Sequence, residues 1–258
     1  MNHSIWILYK RILKDYAVGN KKAQDKYYVL FSIYRHLCFP FAAISLRLGI
    51  SANGITLAGF ALIVISYGTM VSGLNNATFL GACWYFLAFI LDFADGTVAR
   101  FNNKPNYFGK LIDGLVDYFQ HFLYLFMGIG LYFGENPYLL GVNWIVLGAA
   151  ATGSVHLILY FRMRVAYFVS EIELTEGSFD ESAPIKRQTV YGRLLSKLNW
   201  IVANIIIGLP PLFVVFSYFD MADIFLIAAC LFYFSLVCFE IPLRLSRLKG
   251  LSRLARKL

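Results

Sequence analysis

Residues 91–119 read LDFADGTVARFNNKPNYFGKLIDGLVDYF and place four aspartates, Asp92, Asp95, Asp113 and Asp117, in a chain of 258 residues that is 59% hydrophobic and only 15% charged. Ordinary soluble domains carry about a quarter charged residues, so the composition points to a membrane protein. A charged group at membrane depth costs several kcal/mol unless it has a partner or a function. The four carboxylates therefore need an explanation, and the rest of the chain supplies it.

Runs of about 20 mostly apolar residues, long enough to cross the hydrocarbon of a bilayer, fall near residues 54–73, 77–99, 109–132, 138–161, 200–218 and 222–242. The expected fold is an all-α integral membrane protein with six transmembrane helices. Pro210 and Pro211 sit inside the fifth run, where a kink is tolerated if neighbouring helices take up the freed carbonyls. All 23 lysines and arginines fall on one side of this scheme. Basic residues accumulate in cytoplasmic loops, so both termini are expected to be cytoplasmic. The net charge of +8 follows from that bias and from attraction to anionic lipid headgroups, and calls for no nucleic acid.

Ahead of the first span, Ile5, Leu8, Ile12 and Leu13 recur at helical spacing among Lys10, Arg11 and Lys14, the pattern of a helix lying in the membrane interface. Its apolar run is too short for a signal peptide. The segment YYVLFSIYRHLCFPFAAISLRLG is apolar but interrupted by Arg35, His36, Pro40 and Arg47. It is expected to be interfacial too, because a seventh span would spoil the charge asymmetry. Residues 1–50 are thus read as N-terminal interfacial helices, 51–242 as the six-span domain and 243–258 as a basic tail. The four cysteines lack paired metal-ligand spacing.

Asp92, Asp95, Gly96 and Ala99 stand at i, i+3, i+4 and i+7, with Arg100 at i+8, so all five share one helix face. Asp113 and Asp117 are i and i+4 on the next helix, with Gly109 one turn before. The connection FNNKPNYF holds polar residues and Pro105, and a short turn there would set the helices antiparallel with their four acids together. At about 4 Å and an effective dielectric of 20, each close pair of carboxylates repels by about 4 kcal/mol. Protonation would relieve this in a proton-coupled carrier, and divalent cations would relieve it in a phosphoryl-transfer site, leaving Arg100 for a phosphate. The glycines favour the second alternative, since they clear space beside the acids for a bulky ligand. Tight helix packing through small residues is the other explanation for them.

The spacing Asp92-x-x-Asp95-Gly96-x-x-Ala99-Arg100, then eight residues, then Gly109-x-x-x-Asp113-x-x-x-Asp117 resembles the signature of the CDP-alcohol phosphotransferases at every fixed position. Eight specified residues would match by chance at on the order of 10⁻¹⁰ per start site. The resemblance extends over roughly residues 50–242. It implies transfer of a phosphoalcohol group from a CDP-linked donor to an acceptor hydroxyl, with release of CMP and with two Mg²⁺ or Mn²⁺ ions. It further implies that Asp92, Asp95, Asp113 and Asp117 hold the metals and that Asp117 is also the base. By the same resemblance Gly96, Ala99, Arg100 and Gly109 lie at the CDP, with Arg100 on its diphosphate. SANGIT at 51–56 is similar to the family's Pro-Asn-x-x-Thr element, which makes Asn53 and Thr56 nucleotide candidates, with Ala52 where the family has proline. Homodimers are common in the family, so a homodimer is expected.

Arg162, Arg164, Lys186 and Arg187, between the fourth and fifth runs, could bind a phosphorylated acceptor, or could simply signal topology like every other basic loop here. His121, one turn after Asp117, could tune it or serve packing. CDP-diacylglycerol is the favoured donor, with membrane lipid as its source. A soluble CDP-polyol or CDP-amino alcohol with a lipid acceptor is the alternative, and an ion or proton-coupled transporter the remote one.

Overall fold

The computed structural model describes residues 4–18, 22, 25, 29–102, 107–134, 138–139, 141–176 and 190–255. The described residues form helices α1 Ile5–Val18, α2 Val29–Leu48, α3 Ala52–Met70, α4 Ala77–Phe101, α5 Tyr107–Gln120, α6 Leu123–Tyr132, α7 Trp144–Glu176, α8 Val190–Tyr218 and α9 Ala222–Ala255. A hairpin of two residues per strand, Tyr138–Leu139 with Val142–Asn143, precedes α7. Among the described residues all regular structure is helical apart from this hairpin. Among the described residues five helical stretches are long and apolar enough to cross a membrane: Ala52–Met70, Ala77–Phe101, Trp144–Phe168, Asn199–Tyr218 and Ala222–Leu245. It is an integral, multi-pass membrane protein.

The run expected as a third span, residues 109–132, is two helices with a break at His121–Phe122. At the break the chain tightens to i→i+3 bonds, His121 N to Tyr118 O and Phe122 N to Phe119 O. Backbone groups freed inside a membrane must find partners. Here the hydroxyl of Tyr67 lies 2.9 Å from the Phe119 carbonyl and 2.8 Å from that of Gln120. The fourth expected run also starts later than hydropathy suggests. The hairpin turns at Gly141, whose φ of +82° suits glycine, and the Asn143 side chain then accepts from Ile145 N at 2.8 Å to open α7.

Two compact units emerge from the contacts: residues 1–122 with 201–222, and residues 123–200 with 223–258. In the first, α2 packs on α4. Tyr34, Cys38, Phe39 and Ala42 join Ile90, Phe93, Ala94 and Val98 in one buried cluster, which Leu8 and Ile12 of α1 extend. The N-terminal helices thus form the core that backs the motif helix. Arg35 Nε meets Asp25 Oδ2 at 3.3 Å, Tyr16 donates to the same oxygen at 3.1 Å, and Arg35 also lies over the Phe93 ring. Pro211 has no N–H, so the Ile207 carbonyl one turn before it has no helical partner. The Tyr34 hydroxyl takes that place at 2.8 Å. α3 and α4 meet where Ser66 Oγ donates to the Gly81 carbonyl at 2.7 Å, and a Cβ at Gly81 would collide with Met70.

In the second unit α6 and α7 approach through Gly128 and Gly148, where an added Cβ would collide with the backbone of the other helix. Thr152 Oγ1 accepts from Leu125 N at 3.1 Å, and Tyr124 and Tyr233 pair through their hydroxyls at 3.1 Å. Glu240, 2% exposed, accepts two bonds of 2.7 Å from Arg162 and one of 2.7 Å from Arg244.

Candidate active site

The site lies in the first unit, between α3, α4 and α5. Ser51 opens α3 as its N-cap, accepting from Gly54 N at 3.2 Å. Ala52 is then the first helical residue, the position where proline is favoured but not required. The cap therefore holds the helix start where the related element has proline. This orientation puts Thr56 toward α4. Thr56 Oγ1 is 2.6 Å from Asp95 Oδ2 and 3.1 Å from the Ala52 carbonyl, and its single hydrogen serves the shorter contact. Asp95 is only 7% exposed. Asn53 sits one turn earlier in the same helix and is half-buried.

Asp92, Asp95 and Asp113 each offer a carboxylate oxygen within 4.8 Å of the others. Two helices thus converge on one point three of the four acids that the face analysis brings together, while residues 103–106 of the FNNKPNYF connection lie outside the described residues. Asp113 Oδ1 is buried with no hydrogen-bond partner at all. A buried, unsatisfied carboxylate oxygen beside two further carboxylates suits a hard divalent cation, whose oxygen ligands and charge would replace the missing bonds. Asp117 is not one of the three within 4.8 Å, but its charge acts on Asp92 and Asp95, and its Oδ1 accepts from Gln120 Nε2 at 2.6 Å.

Arg100 closes the exposed end of the face. Its Nη2 donates to Thr97 Oγ1 at 3.3 Å, and the guanidinium folds back over Gly96, where an added Cβ would lie 3.2 Å from Nη1. The space that Gly96 opens is thus held by Arg100 itself. Arg100 stays solvent-accessible, and Ala99 beside it is half-buried. Gly109 is half-buried at the start of α5, and a Cβ at Gly114, beside Asp113, would meet open space. A small pocket is lined by Thr56, Asp92 and Asp95 together with Gly59, Ile63, Ala88, Val116 and Gln120.

The proposed acceptor residues are not all in view. Arg162 and Arg164 belong to the second unit, Arg162 bound to Glu240 and Arg164 stacked 5.5 Å over Tyr167. Lys186 and Arg187 lie outside the described residues. Sequence reasoning passed over Gln120, Tyr67 and Thr97. Gln120 carried a readable signal, being three residues after Asp117 and so on the same helix face, but His121 drew attention instead.

Membrane-spanning helices that converge carboxylates beside an accessible arginine suit a membrane-embedded transferase of phosphate-containing groups. The chain belongs to the CDP-alcohol phosphatidyltransferase family, whose sequence profile matches residues 49–232 and so contains every motif residue. Members transfer substituted phosphate groups from CDP-alcohols, and the protein is such an enzyme. Comparison with curated proteins gave no match. Helices α1 and α2 precede the matched region.

Proposed function

We propose that the protein transfers the substituted phosphate of a CDP-alcohol, with CDP-diacylglycerol as the foremost donor, to the hydroxyl of an acceptor alcohol, releasing CMP in phospholipid synthesis. The observation that carries this is the trio Asp92, Asp95 and Asp113, with its orphaned Asp113 oxygen, one turn from an accessible Arg100. Asp92, Asp95, Asp113 and Asp117 would hold two Mg²⁺ or Mn²⁺ ions, which would offset charge on the transferring phosphoryl and on departing CMP. Asn53, Thr56, Gly96, Ala99, Arg100 and Gly109 cradle the CDP, with the guanidinium on its diphosphate.

Asp117 accepts the acceptor's hydroxyl proton as that oxygen bonds to the β-phosphorus. The bond from the β-phosphorus to its bridging oxygen breaks, and the electron pair leaves with CMP. A phosphorylated acceptor would draw on Arg162, Arg164, Lys186 and Arg187. The termini and the site face the cytoplasm, where the basic residues accumulate, with α1 and α2 at the interface and the α5–α6 pair completing six passes. The enzyme works as a homodimer.

A second assignment keeps the chemistry and uses a soluble CDP-polyol or CDP-amino alcohol with a lipid acceptor. It is favoured by the two helices that precede the family match and pack on the motif helix. A CMP-release screen of purified protein with both donor types and a panel of alcohols decides between them. CMP formation in detergent, where nothing can be transported, also separates an enzyme from a carrier.

A further inference from the structure

Thr56 and Tyr67 are eleven residues apart on α3, close to three full turns, and so project from the same side of the helix. Thr56 holds Asp95 on α4, while Tyr67 holds the last two carbonyls of α5, those of Phe119 and Gln120. One helix therefore registers both acid-bearing helices. Gln120 completes the path: its backbone is fixed by Tyr67, and its side chain reaches into the acid-lined cavity and donates to Asp117 Oδ1 at 2.6 Å. An amide N–H on Oδ1 fixes the rotation of the carboxylate and leaves Oδ2 free. Tyr67 is 3% exposed, and its position keeps the end of α5, and with it Gln120, from swinging away.

We infer that Tyr67 and Gln120 are positioning residues for Asp117, acting as a relay in which the Tyr67 hydroxyl pins the helix end and the Gln120 amide sets which Asp117 oxygen faces the reaction. The break in the third apolar run is the device that makes this possible, because a continuous helix would bond those carbonyls internally. The relay rests on the assignment of Asp117 as proton acceptor and metal ligand.

The test uses the full-length protein purified in detergent, with Mn²⁺ affinity measured without substrate and CMP release measured with donor and acceptor. Tyr67→Phe removes only a hydroxyl, and Gln120→Leu keeps the bulk without the amide. Each is expected to weaken Mn²⁺ binding and lower kcat by about tenfold, the scale on which outer hydrogen-bond partners act on ligating carboxylates, with donor KM nearly unchanged. The double variant should be no worse than Gln120→Leu, and neither substitution should weaken Mn²⁺ further in an Asp117→Asn background. Wild-type Mn²⁺ affinity and kcat in both single variants would overturn the relay, as would the same weakening in the Asp117→Asn background. Full turnover by Asp117→Asn alone would instead overturn the proton-acceptor assignment, while the Mn²⁺ measurements would still judge the relay.

Discussion

Thr56 Oγ1 lies 2.6 Å from Asp95 Oδ2, a bond between the helix that precedes the motif and the motif itself. A hydroxyl donated to a buried carboxylate contributes about 1.5–3 kcal/mol. Thr56→Val, which keeps the shape and removes the donor, is expected to lower kcat/KM by about 10- to 100-fold. Thr56→Ser should retain most activity. CMP-release kinetics on the two variants make the comparison.

Gly96→Ala sets two effects against each other. Alanine favours the helix by about 1 kcal/mol over glycine, so the thermal midpoint should hold or rise. The new Cβ would stand 3.2 Å from Arg100 Nη1 and displace the guanidinium, so donor KM should rise. A lower midpoint with an unchanged KM would mean that Gly96 serves packing.

Tyr34→Phe leaves the Ile207 carbonyl without the hydroxyl that replaces the missing Pro211 N–H. An unpaired buried carbonyl costs about 1–3 kcal/mol, and thermal denaturation should show that loss. In a Pro211→Ala background the helix regains its own N–H, so the same substitution should cost much less. Equal costs in both backgrounds would show that Tyr34 acts by packing alone.

Arg162 and Arg164 should part company. Arg162 is bound through two nitrogens to Glu240, which is 3% exposed at its side chain. Arg162→Ala should therefore lower the thermal midpoint, because a buried carboxylate loses one of its partners. Arg164→Ala should leave the midpoint alone and raise KM for a phosphorylated acceptor. A panel of acceptors with and without a phosphate measures the second effect.

Much of this architecture can be read from residue order, because membrane solvation and helix periodicity are local rules. The apolar runs show as helices, and the i, i+3 and i+4 spacing of Asp92, Asp95 and Gly96 places them on one face before any coordinates exist. The division of residues 109–132 into two helices is different. Neither proline nor glycine marks His121–Phe122, and the break is stabilised by Tyr67, more than fifty residues away. Gln120 was legible as a neighbour of Asp117 on one helix face, but its anchoring by Tyr67 was not, because that depends on where the helix ends. Gly96 was legible as an absence of side chain, but what fills that space depends on the rotamer of Arg100. The cap at Ser51 explains how Ala52 stands in for proline, a compensation visible only once the helix start is fixed.

The central claim is a metal-assisted transfer from a CDP-alcohol at the Asp92–Asp95–Asp113 cluster. Its most direct test is CMP release by purified protein from CDP-diacylglycerol or a soluble CDP-alcohol in the presence of an acceptor, with Mg²⁺ or Mn²⁺ supplied and then removed by chelation, alongside Asp113→Asn. The prediction is CMP formation that requires the metal, returns on its re-addition and is lost in Asp113→Asn while the variant stays folded. CMP release that persists at full rate after chelation, or in Asp113→Asn, would contradict the account.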